Sequence, residues 1–356
     1  MKEKGKEMRS KRILVTGGGG FLGGYIVRAL LEHPEELFVG SFTRSPQPEL
    51  EALGVRVHRG DLANAKDVQR IFEEERYDAV IHAAAMVNPW GDRVAFYRAN
   101  VTGTQVLLDA SIAAGVERFV FTSSPSAVFD GTPMVNAVAE DVPYPTIFPS
   151  PYGETKALSE QLVQQAHDPT GSGLATVSLR PQLMWGPGDP HVLPLIIRNA
   201  RAGKLRQIGP RDVKIDVTCV ENAARAHIDA LQALDKPLED PTYPGGKIYF
   251  ISNDEATPIW DFIPRALAAS GEPAMTAGVL PRRVALLAGK FVELTWKVFG
   301  KKGEPPISKY VVLKMCTDQW YDMTPARRDL GYEPTVTLEQ GLAAWASWYE
   351  AHRLTT

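Results

Sequence analysis

Tyr152 and Lys156 stand four residues apart in Tyr152-Gly-Glu-Thr-Lys156. On a helix that spacing puts a phenol and an ammonium on one face, a turn apart. A tyrosine hydroxyl titrates near ~10 when unperturbed, and a neighbouring cation favours its ionised form, so the pair could pass a proton near neutrality. A lowering of ~2 to 3 units corresponds to roughly 3 to 4 kcal/mol, within a close cation's reach. The pattern alone is common on helical surfaces and takes its meaning from its setting. Upstream, Arg118-Phe-Val-Phe-Thr-Ser-Ser124 reads as a strand running into hydroxyl side chains. Ser123, Ser124 and Ser126 are therefore candidates for a substrate hydrogen bond, with an ordinary post-strand turn as the alternative. Asn100 falls in the middle of a long helical pattern, where its propensity is poor, so it either faces solvent or has a specific partner.

A second constellation is built of glycine. Gly17, Gly20 and Gly23 are spaced G-x-x-G-x-x-G between the apolar run Ile13-Leu-Val15 and a helix-forming segment, Tyr25 to Leu31. Strand, glycine turn and helix start form a dinucleotide site. The glycines allow a tight turn, the approach of a pyrophosphate and close helix–strand packing, while the helix N-terminus offers unpaired N–H groups. The next strand, Leu37 to Phe42, ends in Thr43-Arg44-Ser45 with no Asp or Glu. An acidic residue there would favour NAD through the ribose hydroxyls, whereas an arginine can pair with a 2′-phosphate. NADP(H) is therefore expected, with NAD(H) as the alternative, Arg44 as the determinant, and Ser41 and Thr43 as helpers. Against this stands an exposed arginine in a turn before Pro46 and Pro48.

These residues need a frame. Val55 to Leu62 reads as a strand, Lys66 to Glu75 as a helix, Ala79 to Ala85 as a buried strand and Val94 to Gly115 as a long helix. The alternation predicts an α/β fold, a doubly wound, Rossmann-type parallel sheet with a smaller C-terminal substrate lobe. Small Ala83 and Ala84 at a strand end would let a cofactor lie against it. His82 reads as a structural histidine, because the seven histidines show no metal-ligand or triad spacing.

The charge balance, 39 basic against 42 acidic residues, gives no bulk attraction to nucleic acid or an anionic membrane. Cys219 and Cys316 lie far apart without a C-x-x-C pair, so both are expected reduced and buried, with no metal site, in a cytoplasmic protein. Residues 1–11 are basic, lack a signal-peptide apolar run and are expected to be a solvated tail.

Taken in order, Thr16 to Gly23, Asp61-Leu62, His82 to Ala85, Asn100, Thr122 to Ser124, Tyr152 with Lys156, and Leu179 to Asp189 resemble the motifs of the extended short-chain dehydrogenases/reductases. The resemblance implies Tyr152 as proton carrier, Lys156 on the nicotinamide ribose, Ser124 orienting a carbonyl and Asn100 holding a water in the proton path. It also implies that Gly17, Gly20, Phe21, Leu22 and Gly23 meet the pyrophosphate, that Asp61 and Leu62 lie by the adenine, and that Ala83, Ala84, Arg180 and Pro181 pass the cofactor. Pro125 and Val128-Phe129-Asp130-Gly131 depart from the family pattern and leave open whether Ser124 or a neighbour fills the serine role.

The second half resembles the 3β-hydroxysteroid dehydrogenase branch. Phe119 to Asp130, Gly246 to Asp254, Gly303 to Pro306 and Trp320 to Gly331 are similar to its bacterial members that reduce 2-alkyl-3-oxoalkanoates in long-chain olefin biosynthesis. Ala127 to Gly131 with Asn253-Asp-Glu255 also resemble its sterol-4α-carboxylate 3-dehydrogenases. Both act on an oxygen β to a carboxylate on a greasy skeleton, and Arg44 with the closing segment favours the NADPH-dependent reductase. A sugar-nucleotide epimerase or dehydratase is a further alternative, as is a non-catalytic NADP-sensing protein, though such sensors tend to lose the tyrosine and lysine. A hydrophobic small-molecule substrate and a homo-oligomer are expected.

Val284, Leu287, Phe291, Leu294 and Val298 recur at helical spacing, with Lys290, Glu293 and Lys297 assigned to the opposite face. This segment, 284–299, is too short and charged to span a bilayer. It is expected to pack on the domain, line a hydrocarbon pocket, or meet a membrane surface or partner protein. Arg93, His191, Arg211 and Lys214 are the candidates for a substrate carboxylate. The expected division gives 12–181 and 213–252 to the nucleotide domain, and 182–212 and 253–356 to the substrate lobe.

Overall fold

The computed structural model describes residue 9 and residues 11–33, 36–88, 90–275, 277–301 and 303–353. The expected tail, 1–11, lies outside the described residues except for Arg9 and Lys11.

Ile13, Leu14 and Val15 are wholly buried, and their strand, Arg12–Thr16, runs through the interior of a seven-stranded parallel sheet. The strand order is 248–251, 175–181, 118–122, 79–82, 12–16, 38–43 and 56–59. From Arg12–Thr16 the chain winds outward through Phe38–Thr43 to Arg56–Arg59, then crosses back to Ala79–His82 on the other flank. The order reverses between Arg12–Thr16 and Ala79–His82, and the crevice at the carboxyl ends of such strands is where ligands sit. Both sheet faces are covered, which explains the continuous apolar strands. Helices Phe21–Leu31 and Val220–Ala233 pack together on one of them.

The long helix predicted from Val94 is present but not uniform. Arg93–Phe96 passes into a π-helical stretch, Tyr97–Thr102, before α-helix resumes at Gly103–Ala113. Wider turns of this kind shift side chains around the axis and often mark functional positions. Asn100 lies within this stretch.

The second sheet joins distant segments: Thr257–Pro258, Lys214–Ile215, Gln319–Tyr321 and Met134–Ala137. Met134–Ala137 and Lys214–Ile215 fall in the span assigned to the nucleotide domain, so the lobe borrows strands from it. Conversely, Thr324–Leu330 packs on Val220–Ala233 and the edge strand Ile248–Ile251. A separate apolar cluster, including Trp185, Trp260, Phe262 and Trp345, forms the lobe's core. Cys219 and Cys316 are free and buried. No helix among the described residues is long and apolar enough to cross a membrane.

Arg180 does not reach the cofactor cleft. It is 1% exposed, and its Nε and Nη2 donate to the two carboxylate oxygens of Glu160 at 3.0 and 2.6 Å. Alternate residues of a strand point to opposite sides, so Pro181 faces the cleft and Arg180 turns inward. Removing one member of a buried pair leaves the other uncompensated. Arg180→Ala is therefore expected to lower stability by about 3–5 kcal/mol in urea unfolding, with Arg180→Leu/Glu160→Leu recovering much of the loss.

Candidate active site

The glycine turn makes the first wall of the cleft. Gly17 has φ +74°, and a Cβ there would stand 2.9 Å from the Ala84 Cα. At Gly23 a Cβ would lie 2.1 Å from the Gly17 carbonyl oxygen, so the helix starts hard against the turn. No side chain caps that helix at Gly20, which leaves its first N–H groups facing the crevice. The turn opens onto a cavity of about 760 Å³ that runs from Thr43, Arg44 and Ser45 past Ala83 and Ala84 to Thr122, Tyr152 and Lys156.

The second wall carries the hydroxyls. Ser150 caps helix Pro151–Gln165, accepting the Gly153 N–H at 3.2 Å, and Pro151 sits at the first helical position, where its missing N–H costs nothing. A Cβ on Gly153 would fall 2.5 Å from the Ser126 carbonyl oxygen, so glycine seats this helix on the turn Pro125–Ala127. That contact brings Tyr152 near Ser124, whose hydroxyl acts to lower the phenol. Burial raises the Tyr152 phenol above its ordinary range, and the nearby Ser124 hydroxyl offsets only part of the effect. Tyr152 is thus held protonated. The lowering expected from Lys156 is absent: its ammonium donates instead to the Thr122 carbonyl at 2.6 Å. Burial depresses Lys156 itself to about 7, against the opposing effect of Glu160.

Neutral histidines surround this lysine. Thr104 donates to the Asn100 carbonyl at 2.6 Å, so the 3.0 Å contact from His82 Nε2 places a proton on that nitrogen. His82 Nδ1 then accepts from Thr16 Oγ1 at 2.7 Å. His227 bridges Thr122 and the Ala223 carbonyl, each at 2.7 Å. Burial, aided by the Lys156 charge, lowers His82 to about 3, while His227 falls to about 4. Both are structural, as the scattered histidine spacing predicts for His82.

Of the expected cofactor contacts, Gly17, Gly20, Phe21, Leu22, Gly23, Arg44, Leu62, Ala83, Ala84, Lys156 and Pro181 line the cleft. Asp61 lies behind it, accepting from Arg44 at 3.3 Å and Arg98 at 2.6 Å. Burial acts to raise this carboxyl, but the Ala63 N–H and Arg98 hold it below its usual range. Asn100 also stands behind the wall. Its Oδ1 accepts the Met86 N–H at 2.7 Å, and both amide protons are committed, to the Met86 carbonyl and Thr155. Its carbonyl accepts from Thr104 and Ser159. Asn100 therefore clamps the loop after Ala79–His82 to the helix bearing Tyr152, rather than offering those groups to a water.

Among the carboxylate candidates, His191 lines the cleft, Arg93 pairs with Glu154 and Arg211 pairs with Asp261 at 2.9 Å. Lys214 lies in the small sheet, away from the cleft. Three site residues escape sequence reading. Gln47 and Arg98 line the adenosine end, and Tyr310 reaches in from the lobe to Ser126 at 2.8 Å. Gln47 carried no signal beyond its prolines, and Arg98 and Tyr310 carried none.

The cleft fits a dinucleotide on its own evidence. The glycine cradle admits no Cβ at Gly17 or Gly23, and the lining Ser123 hydroxyl is buried without a hydrogen-bond partner among the described residues. Among those residues no group of three or more His, Cys, Asp or Glu could hold a metal ion.

Fold and site together define an oxidoreductase of the extended short-chain dehydrogenase/reductase type. The chain belongs to the 3-beta hydroxysteroid dehydrogenase/isomerase family, whose model matches residues 14–282. It is 41% identical over 336 residues to a 2-alkyl-3-oxoalkanoate reductase of Stenotrophomonas maltophilia (strain K279a), covering 93% of this chain and 97% of that one. A sterol-4-alpha-carboxylate 3-dehydrogenase, decarboxylating, from Candida albicans is 32% identical over 345 residues, covering 94% and 97%. Among solved structures, UDP-glucuronic acid 4-epimerase from Bacillus cereus in complex with NAD superposes with a TM-score of 0.70 at 25% identity, covering 96% and 99%.

General acid–base groups typically contribute 10²–10⁴-fold. Tyr152→Phe is expected to lower kcat by at least about a hundredfold while leaving cofactor affinity within about twofold, measured by fluorescence titration. Lys156 carries its charge below about 7 and loses it as pH rises. The kcat/KM profile, which reports free-enzyme groups, should therefore show a limb falling through about pH 7 that Lys156→Arg shifts upward.

Proposed function

We propose that this protein reduces a long-chain 2-alkyl-3-oxoalkanoate to the 2-alkyl-3-hydroxyalkanoate with NADPH, as a step of olefin biosynthesis. The observation that carries this reading is the 41% identity, across nearly the whole of both chains, to a protein named for that reaction. A second relative of the same name, from Shewanella oneidensis, is 35% identical over 332 residues.

The cofactor choice rests on Arg44. It lines the adenosine end of the cleft with Thr43, Ser45 and Gln47, and among the described residues no acidic side chain lines that end. Arg98 adds a second guanidinium, and Asp61 between the two holds both in place. A guanidinium pair suits a 2′-phosphate, which accepts charge-assisted hydrogen bonds in a fork geometry. The bound nicotinamide would supply the hydride.

The remaining chemistry belongs to the chain. Gly17, Gly20 and Gly23 admit the pyrophosphate, and Lys156 would hold the nicotinamide ribose. Ser124 orients the ketone oxygen, and Tyr152, protonated through its burial, donates to that oxygen as it becomes a hydroxyl. Thr122 holds the Lys156 ammonium beneath the site until the cofactor arrives.

Oxidation of a 4α-carboxysterol with NAD is the second reading, favoured by the 32% identity to the sterol enzyme over 94% of this chain. One assay separates the two: purified protein with a long-chain 2-alkyl-3-hydroxyalkanoate or with a 4α-carboxysterol, and NADP or NAD. The hydroxy acid with NADP is expected to turn over, releasing free NADPH each cycle, as a sugar-nucleotide epimerase would not. NAD-dependent turnover of the sterol alone would replace the proposal with the second reading. Arg44→Asp should lower kcat/KM for NADP by about 10- to 100-fold relative to NAD. An unchanged ratio would remove the basis for NADP.

A further inference from the structure

We infer that the Lys314 ammonium is the group that receives the substrate's carboxylate. The inference rests on the proposed reaction in one respect: both substrates weighed above carry a carboxylate on the carbon next to the one that bears the reacting oxygen.

Lys314 lies in the last turn of helix Lys309–Met315. The start of this helix is held from outside by helix Arg282–Val298, whose apolar row, including Leu287, Phe291 and Leu294, faces solvent. A Cβ on Gly289 of that outer helix would lie 3.0 Å from the Lys309 nitrogen, and Glu293 accepts the Lys309 N–H at 2.7 Å. On the inner side, four residues before Lys314 and on the same helix face, Tyr310 reaches Ser126 at 2.8 Å. Phe129 touches both residues. Its ring meets that of Tyr310 edge to face with centres 6.4 Å apart, and the Lys314 ammonium stands 4.6 Å from its centre. Phe129 is itself fully buried, five residues after the serine that orients the ketone. The helix comes to the serine turn from the lobe, so Lys314 stands outside the nucleotide cleft, on the side left to the substrate.

This cation has no carboxylate partner among the described residues. Its ammonium donates to Gln319 Oε1, and two of its three donors remain open. Gln319 is fixed in that orientation, because its Nε2 donates to the Lys314 carbonyl at 2.9 Å and the Thr317 carbonyl at 3.1 Å. An aromatic face and one neutral oxygen steady a positive charge without neutralising it. Part of the side chain remains accessible, as a ligand requires, while the surrounding protein depresses the ammonium to about 7 by desolvation. An uncompensated charge of this kind costs stability, and a ligand that supplies the opposite charge restores it. The four-carbon stem lets the ammonium turn toward that ligand.

The other cations are committed or distant. Arg93 pairs with Glu154, Arg211 with Asp261, and Lys214 lies away from the cleft. His191, which lines the cleft, is the rival.

The test is calorimetric titration of the protein loaded with NADPH, using a 2-alkyl-3-hydroxyalkanoate and its methyl ester. Ligand and cofactor are both already reduced, so binding is read without turnover. Wild-type protein is expected to bind the acid about 10- to 100-fold more tightly than the ester, the scale of charge-assisted hydrogen bonds. Lys314→Met should erase that preference by weakening the acid alone, leaving the ester and NADPH within about twofold and the urea midpoint no lower, since no counter-charge is stranded. Lys314→Arg, which keeps the charge, should keep most of the preference. Oxidation of the same acid with NADP or NAD is followed alongside. A K314M variant that still prefers the acid, or a wild type that does not, overturns the inference, and the proposed reaction then stands or falls on turnover. A preference lost in H191Q and kept in K314M assigns the carboxylate to His191 and overturns it equally. A preference that K314M removes, in a protein that oxidises the acid with neither cofactor, upholds the carboxylate site and overturns the proposed reaction.

Discussion

Gly23 has no room for a single methyl group, because the Gly17 carbonyl occupies the space where its Cβ would go. That close approach sets the start of helix Phe21–Leu31 directly behind the first strand and fixes where the cleft lies. Everything downstream is placed relative to it. Gly17 in its turn has no room for a Cβ because the Ala84 backbone stands against it, and Ala84 lies in the loop that Asn100 clamps through Met86. Asn100 in turn binds Thr155, one residue from Lys156. A chain of short contacts thus runs from the glycine turn to the helix that carries Tyr152 and Lys156.

A second constraint is desolvation. Lys156 is 3% exposed, and its ammonium is met by a backbone carbonyl rather than a carboxylate. A buried cation without a full counter-charge shifts toward its neutral form, which is why Lys156 sits near neutrality in the free protein. His82 and His227 avoid adding charge by staying neutral, their ring nitrogens satisfied by threonines and a carbonyl. The phenol responds in the opposite sense, since burial favours its proton. The same low-polarity setting therefore leaves the tyrosine as a donor and the lysine readily discharged, before any ligand arrives.

Local signals were legible where one segment determined its own structure. The buried run Ile13 to Val15, the glycine spacing and the four-residue step from Tyr152 to Lys156 each depend on neighbours in sequence. The wound parallel sheet follows from alternating strands and helices. What could not be read depended on faces and distant partners. Arg180 adjoins Pro181 in sequence but points to the other side of the strand, into Glu160. The lowering of Tyr152 expected from Lys156 fails because Thr122, far away in sequence, captures the ammonium. The small sheet uses two- to four-residue strands from four separate regions, too short to show a period. The π-helical stretch around Asn100 left no mark in the residue pattern. In Arg282–Val298 the periodicity located the helix, but whether its apolar stripe faced inward or outward was decided by Gly289 and its contact with Lys309.

That contact links the exterior to the chemistry. Helix Lys309–Met315 carries Tyr310, whose hydroxyl meets Ser126 two residues from Ser124. Its first turn receives Gly289, and Ser308 caps it by accepting the Val311 N–H at 3.2 Å. One short helix therefore touches the serine turn on one side and the amphipathic helix on the other. Packed interiors transmit displacement because they have few voids to absorb it. Gly289 packs against Lys309, the residue before Tyr310 in this same short helix. The lobe brings Tyr310 to the site through this helix, and Met184 and His191 line the cleft from the span assigned to it, while Ser124, Tyr152 and Lys156 belong to the nucleotide-binding half.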